Sequence, residues 1–314
     1  MILCCYIIAD LNINGKSILK KIRKFVYKMS KKTVYPVVPG GFCAGVRGAL
    51  EIFEETRKKF PAPVYVLHEL VHNRRVGEKM RQNGAIFVDD LSQVPEGSVV
   101  LFGAHGVGRK EETDAAARHL HVIDAGCPRV KRLHRAASAL KKDEELIIFG
   151  NPSHPEVRGV AGHAGTEKVF IVNSKDEIPR LPEMTNPTLL CQTTRDHREI
   201  EEFTRLLKER FPLLHANSGV CDAVFRRQLA VEKMIPQVDV MLIAGSAHSS
   251  NANRMCDVAR RSGKAAFLVD GVENLPDLSE FERIGLGAGA STPDETVQEI
   301  LEHLIKKGYT LIEK

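Results

Sequence analysis

Short apolar segments alternate with longer amphipathic segments along the chain from residue 33 onward. This alternation is typical of parallel sheets whose two faces are covered by helices. The pattern therefore predicts an α/β fold. The predicted strands form three groups, which are 64–67, 85–88, 99–102 and 122–124; 146–149, 169–172 and 188–191; and 240–244, 266–269 and 284–286.

The three strand groups predict three modules of similar architecture, near 33–124, 125–217 and 218–314. We expect the modules to pack closely, because no low-complexity linker separates them. A chain of 314 residues, 43% of them hydrophobic, is long enough for several cores. Helices are predicted near 45–59, 72–83, 109–119, 129–142, 196–210, 223–235, 250–262 and 293–307.

Three of the seven cysteines, Cys43, Cys127 and Cys221, follow one another at intervals of 84 and 94 residues. This spacing predicts one cysteine for each module. Three thiolates brought together can hold a soft metal centre and leave one coordination position open, as catalytic sites require. An odd number of scattered cysteines also favours a reducing compartment, so we expect a cytoplasmic protein.

Zinc and redox-active disulfides are the competing uses of these cysteines. Structural zinc sites usually contain Cys-x-x-Cys pairs, and the chain has none. The run HELVH at 68–72 matches the zinc-protease string in letters, but it begins where a predicted strand ends rather than within a helix. Cysteines so far apart also argue against a redox disulfide. A 4Fe–4S cluster with three cysteine ligands fits best.

Polar side chains follow six of the predicted strands, at the end where parallel α/β sheets bind ligands. Hydroxyls, amides and helix N-termini together favour a phosphate group. Ser249 and Thr292 each precede a predicted helix, so simple capping is the alternative for these two residues. The chain has no P-loop. The candidate anion-binding residues are His72, His105, His154, Thr193, Ser249, Ser250, Asn251 and Ser291.

Glu156 follows a predicted strand in the run His154-Pro155-Glu156. A carboxyl group at the mouth of a strand can have a raised pKa and deliver protons. Alternatively, a glutamate directly after a proline suits the first turn of a helix, where the helix dipole favours it. These residues alone leave both interpretations open.

The net charge of +5 comes from the first 32 residues. They contain eight basic residues and one acid, which leaves 37 basic against 39 acidic residues in the rest of the chain. Nucleic-acid binding is therefore not indicated. We interpret 1–32 as an N-terminal extension, either a basic helix that touches a membrane surface or a segment upstream of a true start at Met29. No apolar run is long enough to predict a membrane span.

Nine motifs, in order, resemble those of the 4-hydroxy-3-methylbut-2-enyl diphosphate reductases, and the resemblance covers residues 40 to 294. Singly most of them are unspecific, whereas the ordered set is highly specific. They are GFCAGV at 41–46, HELVHN at 68–73, AHGV at 104–107, DAGCP at 124–128, HPEV at 154–157 with Gly159, QTT at 192–194, Cys221 with Arg227 and Gln228, Gly245 with SSN at 249–251, and AGASTP at 288–293.

The resemblance implies three α/β modules arranged with pseudo-threefold symmetry around a central 4Fe–4S cluster. It also implies the last step of the methylerythritol phosphate route, in which an allylic diphosphate loses its hydroxyl and yields isopentenyl and dimethylallyl diphosphate. Ferredoxin or flavodoxin would supply electrons singly. By position, Cys43, Cys127 and Cys221 would ligate the cluster, and Glu156 would relay protons with the help of His154 and Thr193. The eight candidate anion-binding residues would hold the substrate, and the diphosphate would lie on His72, His105, Ser249, Ser250, Asn251 and Ser291.

Several positions near these motifs depart from the family pattern without removing a ligand. They are Gly48, Gly126, Arg129, the run from Asp222 to Arg226 with Val224, and His248. Two alternatives to the reductase stay open. One is a paralogue that acts on another unsaturated compound, and the other is a non-catalytic iron–sulfur sensor, which would have no use for a proton donor such as Glu156.

Overall fold

A computed structural model of the chain describes residues 32–217 and 219–312. Its strands are β1 (Thr33–Pro36), β2 (Val64–Leu67), β3 (Ala85–Val88), β4 (Val99–Phe102), β5 (His121–Asp124), β6 (Leu146–Phe149), β7 (Val169–Val172), β8 (Thr188–Cys191), β9 (His215–Asn217), β10 (Val240–Ala244), β11 (Ala265–Val269), β12 (Arg283–Ala288) and β13 (Thr310–Leu311). Its α-helices are α1 (Ala44–Lys59), α2 (Arg74–Gln82), α3 (Arg109–Ala117), α4 (Pro128–Ser138), α5 (Pro155–Gly162), α6 (His197–Arg210), α7 (Asp222–Met234), α8 (Ser250–Arg261) and α9 (Asp294–Lys306).

The strands form three parallel sheets that share one strand order. The first sheet has the order β3-β2-β4-β5, and the second has the order β7-β6-β8-β9. The third, β11-β10-β12-β1-β13, repeats this order with β1 in the fourth position and β13 added at the edge. Thr33 of β1 lies opposite Arg283 of β12 and Thr310 of β13. The first strand of the described chain therefore completes the last sheet.

A helix connects each sheet to the next one. It follows the strand in the fourth position of one sheet and packs against the next sheet. Helix α1 follows β1 of the third sheet, but its Phe53 lies in one core with Val66 of the first sheet. Likewise, Leu133 of α4 packs with Ile148 of the second sheet. Helix α7 packs on the third sheet, where the buried residues Val231 and Met241 share a core. The three sheets therefore form a closed cycle.

The structure confirms the α/β fold with parallel sheets and the three predicted strand groups. The predicted strands omit β1, β9 and β13, and no helix is predicted at α5. Three of these elements lack the patterns by which strands and helices are predicted. Strand β9 is largely exposed, β13 has two residues, and α5 contains two glycines within eight residues. The module boundaries at 33–124, 125–217 and 218–314 stay a prediction, to which the structure adds that 33–36 pairs with the third sheet.

The proposed N-terminal extension lies outside the described residues except for Lys32, and so do Cys4 and Cys5. Nothing in the structure tests the expected basic helix or the start at Met29. Among the helices of residues 32–217 and 219–312, none is both long enough and apolar enough to cross a bilayer.

Candidate functional site

The three spaced cysteines occupy equivalent places in the three sheets. Each follows the strand in the fourth position of a sheet, namely β1, β5 or β9, and each is the N-cap of the helix that packs on the next sheet. Gly219, two residues before Cys221, has a φ of 61°. A Cβ atom there would lie 2.7 Å from the carbonyl oxygen of Cys191, so the approach to Cys221 requires glycine.

All three thiols line one cavity, which we call the central cavity. A Cβ atom at Gly45 would lie 2.7 Å from Sγ of Cys127 and 3.9 Å from Sγ of Cys43, so the two sulfurs flank this glycine. Burial raises the pKa of the Cys127 thiol, the backbone N–H groups of Arg129 and Val130 lower it, and the nearby Cys43 and Cys221 thiols raise it further. The three sulfurs therefore interact electrostatically.

We call the part of the central cavity that contains the three thiols the cysteine end. Its donor set fits an iron–sulfur cluster with three thiolate ligands. Thiolates are the soft ligands that such clusters prefer, and helix N-termini favour their negative charge. The other cysteines of the described chain, Cys191 and Cys256, lie in hydrophobic cores, where burial raises the pKa of both thiols to about 12. No fourth cysteine lines the cavity, so three protein ligands would leave one iron position open.

The rest of the functional lining of the central cavity, which we call the histidine end, comes from loops at the carboxyl ends of the strands in the second and third positions of each sheet. These strands are β2 and β4, β6 and β8, and β10 and β12. The twelve residues predicted from the sequence all line the central cavity, namely Cys43, Cys127, Cys221, His72, His105, His154, Glu156, Thr193, Ser249, Ser250, Asn251 and Ser291. The structure therefore brings every one of them together, and their individual roles stay predictions.

Three histidines form a compact cluster at this end. The rings of His72 and His105 stack with their centroids 4.0 Å apart, and His154 meets them edge-on at 5.3 and 5.4 Å. Nδ1 of His72 lies 2.6 Å from the carboxylate of Glu69 and donates to it. The ligand atoms of the three rings lie within 4.8 Å of one another, so this cluster is also a candidate for a divalent metal ion.

Burial disfavours the charged forms of His105 and His154. Desolvation lowers the pKa of His154 to about 4, with smaller contributions from His72 and Arg158. Burial also lowers the pKa of His105 well below its usual value, and His72 and His154 add to the shift. Nδ1 of His154 accepts from the backbone N–H of Glu156 at 3.2 Å, so neutral His154 carries its proton on Nε2. Nε2 of both His105 and His154 is buried without a partner in the described structure.

Glu156 is only 2% exposed and lies in the first turn of α5 behind Pro155. One carboxylate oxygen accepts from the backbone N–H of Thr193 at 2.6 Å, and the other accepts from the Thr193 hydroxyl at 2.7 Å. Burial raises the pKa of Glu156, and the two bonds from Thr193 oppose the shift. The helix position and the raised pKa therefore occur together, so the two interpretations from the sequence do not exclude each other.

The N-terminus of α8 supplies the neutral donors of the cavity. Ser249 is the N-cap, its hydroxyl accepts from the N–H of Ala252, and the first turn contains no acid. Oδ1 of Asn251 is buried without a partner within the described chain. The Ser291 hydroxyl donates to the carbonyl of His72 at 3.0 Å and joins the third sheet to the histidine cluster. Thr292 donates to Ala244 and caps no helix, so the capping alternative is wrong for Thr292.

Four of the positions that depart from the family pattern, Gly126, Arg129, Asp222 and Val224, lie near the cysteine end. Gly126 donates its N–H to Asp124 at 2.8 Å, and Arg129 pairs with Asp222 at 3.1 Å across the start of α4 and α7. Val224 lines the central cavity. His248 lines a neighbouring polar pocket of about 590 Å³ that shares His72, His154 and Ser250 with the central cavity.

The sequence predictions gave no role to Glu69 or Arg227. Glu69 stands in the HELVHN motif three residues before His72, and that spacing is the only signal for their contact. Arg227 lies six residues after Cys221, and its side chain donates to the carbonyl of Gly41 beside Cys43. That contact joins distant parts of the chain, so no local pattern indicates it.

The HELVH run lies in a loop between β2 and α2 rather than within a helix, which agrees with the argument against a zinc protease.

A family model described as LytB protein matches residues 34–305, which is most of the chain. The chain belongs to the LytB family. Its curated relatives in that family are named 4-hydroxy-3-methylbut-2-enyl diphosphate reductase.

Two relatives illustrate how closely the chain follows the LytB family. The reductase of Nitrosomonas europaea is 39% identical over 276 residues, which is 85% of this chain and 85% of that protein. The reductase of Nocardia farcinica is 41% identical over 286 residues, 88% of this chain and 85% of its own length. The similarity therefore spans all three sheets.

Solved LytB-family structures agree with the fold. The E-1-hydroxy-2-methyl-but-2-enyl-4-diphosphate reductase of Plasmodium falciparum superposes with a TM-score of 0.86 at 32% identity, covering 90% of this chain and 91% of that one. A second structure, of an (E)-4-hydroxy-3-methyl-but-2-enyl diphosphate reductase, has a TM-score of 0.63 at 27% identity and covers 88% and 99%. The predicted membership and the predicted architecture of three parallel-sheet modules are both confirmed.

Proposed function

We propose that this LytB-family chain reduces (E)-4-hydroxy-3-methylbut-2-enyl diphosphate to isopentenyl and dimethylallyl diphosphate, the last step of the methylerythritol phosphate pathway. The observation that carries the proposal is the composition of the central cavity. Three thiols, a buried carboxyl and a set of hydroxyl, amide and imidazole groups line the same cavity. An iron–sulfur reductase of an allylic diphosphate needs all of these parts in one place.

The diphosphate would bind at the histidine end. The N-terminus of α8 offers free N–H groups and a positive dipole end, and Ser249, Ser250, Asn251 and Ser291 surround it with small polar groups. His72 and His105 complete the site from the first sheet. Nε2 of His105 is buried without a partner in the described chain, which is costly unless a ligand satisfies it, and this supports an occupied site.

Glu156 would deliver the proton that the leaving hydroxyl needs. The C–O bond breaks, the hydroxyl leaves as water, and two electrons and two protons are taken up in the whole reaction. Burial favours the protonated carboxyl, and Thr193 holds both of its oxygens in place. His154, whose Nε2–H is free, would orient the hydroxyl and help the transfer.

Cys43, Cys127 and Cys221 would hold one 4Fe–4S cluster. When bound, the cluster would supply electrons one at a time and an iron position open to the substrate oxygen. A ferredoxin or flavodoxin would be the electron donor. The cysteines of the described chain are free thiols, which is compatible with a cytoplasmic protein.

Anaerobic turnover of the hydroxylated allylic diphosphate, with an artificial one-electron donor such as reduced methyl viologen, tests the proposal. We expect a brown protein that consumes the substrate and releases both products. A colourless protein with stoichiometric zinc would contradict the iron–sulfur assignment. A brown protein without turnover would favour the sensor, and turnover of a different unsaturated substrate would favour the paralogue.

A further inference from the structure

Arg227 is a buried arginine at the cysteine end of the central cavity. It lies on α7, six residues after Cys221, and is only 3% exposed. Its Nη2 donates to the carbonyl of Gly41 at 2.7 Å and, more weakly, to that of Gly40 at 3.4 Å. Its Nη1 donates to the carbonyl of Ala223 at 2.8 Å. The guanidinium therefore bridges the helix that begins at Cys221 and the loop that leads to Cys43.

No carboxylate within the described chain forms an ion pair with Arg227, and its Nε is buried without a partner. The other buried arginine of the described residues, Arg195, lies 3.7 Å from Glu199 and stacks on Phe149. A buried charge without a counter-charge is strongly unfavourable, so natural proteins seldom keep one. The environment of Arg227 therefore calls for an anion that the side-chain carboxylates do not provide.

The cysteines are the groups that can supply this negative charge. Burial lowers the pKa of Arg227, and the Cys43 and Cys221 thiols are the groups that oppose this shift. Three thiolates around a 4Fe–4S core make a net anion, which becomes more negative on reduction. The positive charge on Arg227 favours the reduced form over the oxidised form, because the attraction grows with the negative charge.

We propose that Arg227 is a positioning residue that serves as the counter-charge of the iron–sulfur centre, raises its reduction potential and fixes Cys43 relative to Cys221. This inference rests on the proposed function only in taking an iron–sulfur cluster as the cofactor. It assigns a role to a side chain that binds neither substrate nor iron.

The test compares the variants Arg227→Gln and Arg227→Lys by EPR-monitored redox titration of the anaerobically purified protein. Arg227→Gln removes the charge, and we expect about a tenfold smaller equilibrium constant for one-electron reduction, which lowers the potential by about 59 mV. Arg227→Lys keeps the charge and should retain most of the wild-type potential. The matched control is Arg129→Gln, because Arg129 is a second arginine near the three cysteines that lines the cavity but is exposed and paired with Asp222.

The other possible results also support or refute the counter-charge role of Arg227. A wild-type potential in Arg227→Gln, or an equal drop in Arg129→Gln, would overturn the proposal. If Arg227→Gln assembles no cluster while Arg227→Lys does, the requirement for charge is supported. If neither assembles one, the hydrogen bonds rather than the charge are needed, and the counter-charge role is refuted. Failure of the proposed function looks different, because the wild-type protein itself would then hold no cluster.

Discussion

The cysteine end and the histidine end of the central cavity would both face an anion, yet they meet negative charge in different ways. At the cysteine end, a permanently charged and buried guanidinium, that of Arg227, stands without a carboxylate partner among the described residues. At the histidine end, hydroxyls, an amide and three imidazoles line the wall, and Arg129 at the cysteine end is the one arginine or lysine among the residues that line the central cavity. A cofactor remains bound, so a fixed positive charge is favourable in its site. A substrate or product must dissociate after each turnover, and neutral donors release it more easily. Under the proposed function, the cysteine end would therefore retain its ligand, whereas the histidine end would release its ligand after each turnover.

The largest effect is expected when one of the proposed cluster ligands is removed from the cysteine end. Cys127→Ser should lower the affinity for the cluster by more than ~100-fold, since even indirect changes at metal sites cost up to that much. Iron and sulfide content and the visible absorption spectrum measure the loss. The control is Cys191→Ala, in the core of the second sheet, which should keep the cluster. Full iron content in Cys127→Ser would contradict the ligand assignment.

The histidine end is tested by a change that leaves the cysteine end intact. Glu156→Gln should retain the cluster but lower kcat about 10²- to 10⁴-fold, because the amide cannot donate an acidic proton. Single-turnover kinetics with the pre-reduced protein isolates this step. Thr193→Ser keeps the hydroxyl that bonds to Glu156 and should remain active. An undiminished kcat in Glu156→Gln would remove the proton-relay role.

Acid should lower the free energy of unfolding, because His154 is buried as a neutral imidazole at the histidine end. The pKa of His154 is about 4 in the folded chain against 6.5 in the unfolded chain, so the unfolded state binds more protons between these values. The stability that depends on neutral His154 is complete above pH 6.5 and is lost as the pH falls toward 4, at up to about 1.4 kcal/mol per pH unit. Urea unfolding of the metal-free protein at several pH values measures this slope. The slope should be shallower in His154→Gln, and an unchanged slope would argue against a buried neutral His154.

The smallest effect is expected from the exposed cation at the rim of the cysteine end. The pair between Arg129 and Asp222 is about half exposed, so its coupling energy should be between 0 and about 1 kcal/mol. A double-mutant cycle with Arg129→Gln and Asp222→Asn, followed by thermal unfolding, determines this energy. A coupling of several kcal/mol would mean that Arg129 is desolvated like Arg227, and the contrast between the two cations would disappear.

Much of the fold and the twelve polar or thiol residues proposed for the site could be predicted from the sequence. Strands such as β6 and β10 are continuous buried apolar runs, and ligand-binding loops follow parallel strands by a general rule. The polar strand β9 and the pairing of β1 with β12 could not be predicted, because they depend on contacts between distant segments. Arg227 escaped a functional assignment for the same reason, since its partner Gly41 lies 186 residues away.

The position of β1 has a consequence for the synthesis of the chain. Strand β1 leaves the ribosome long before its partners β12 and β13, which end at residues 288 and 311. Until those strands emerge, β1 has no sheet to join, and the loop that presents Cys43 has no fixed place. The first two sheets can form during translation, whereas Cys43 can take its place beside Cys127 and Cys221 only after β12 has been made. A site that needs all three thiols together can therefore form only once the third sheet has assembled.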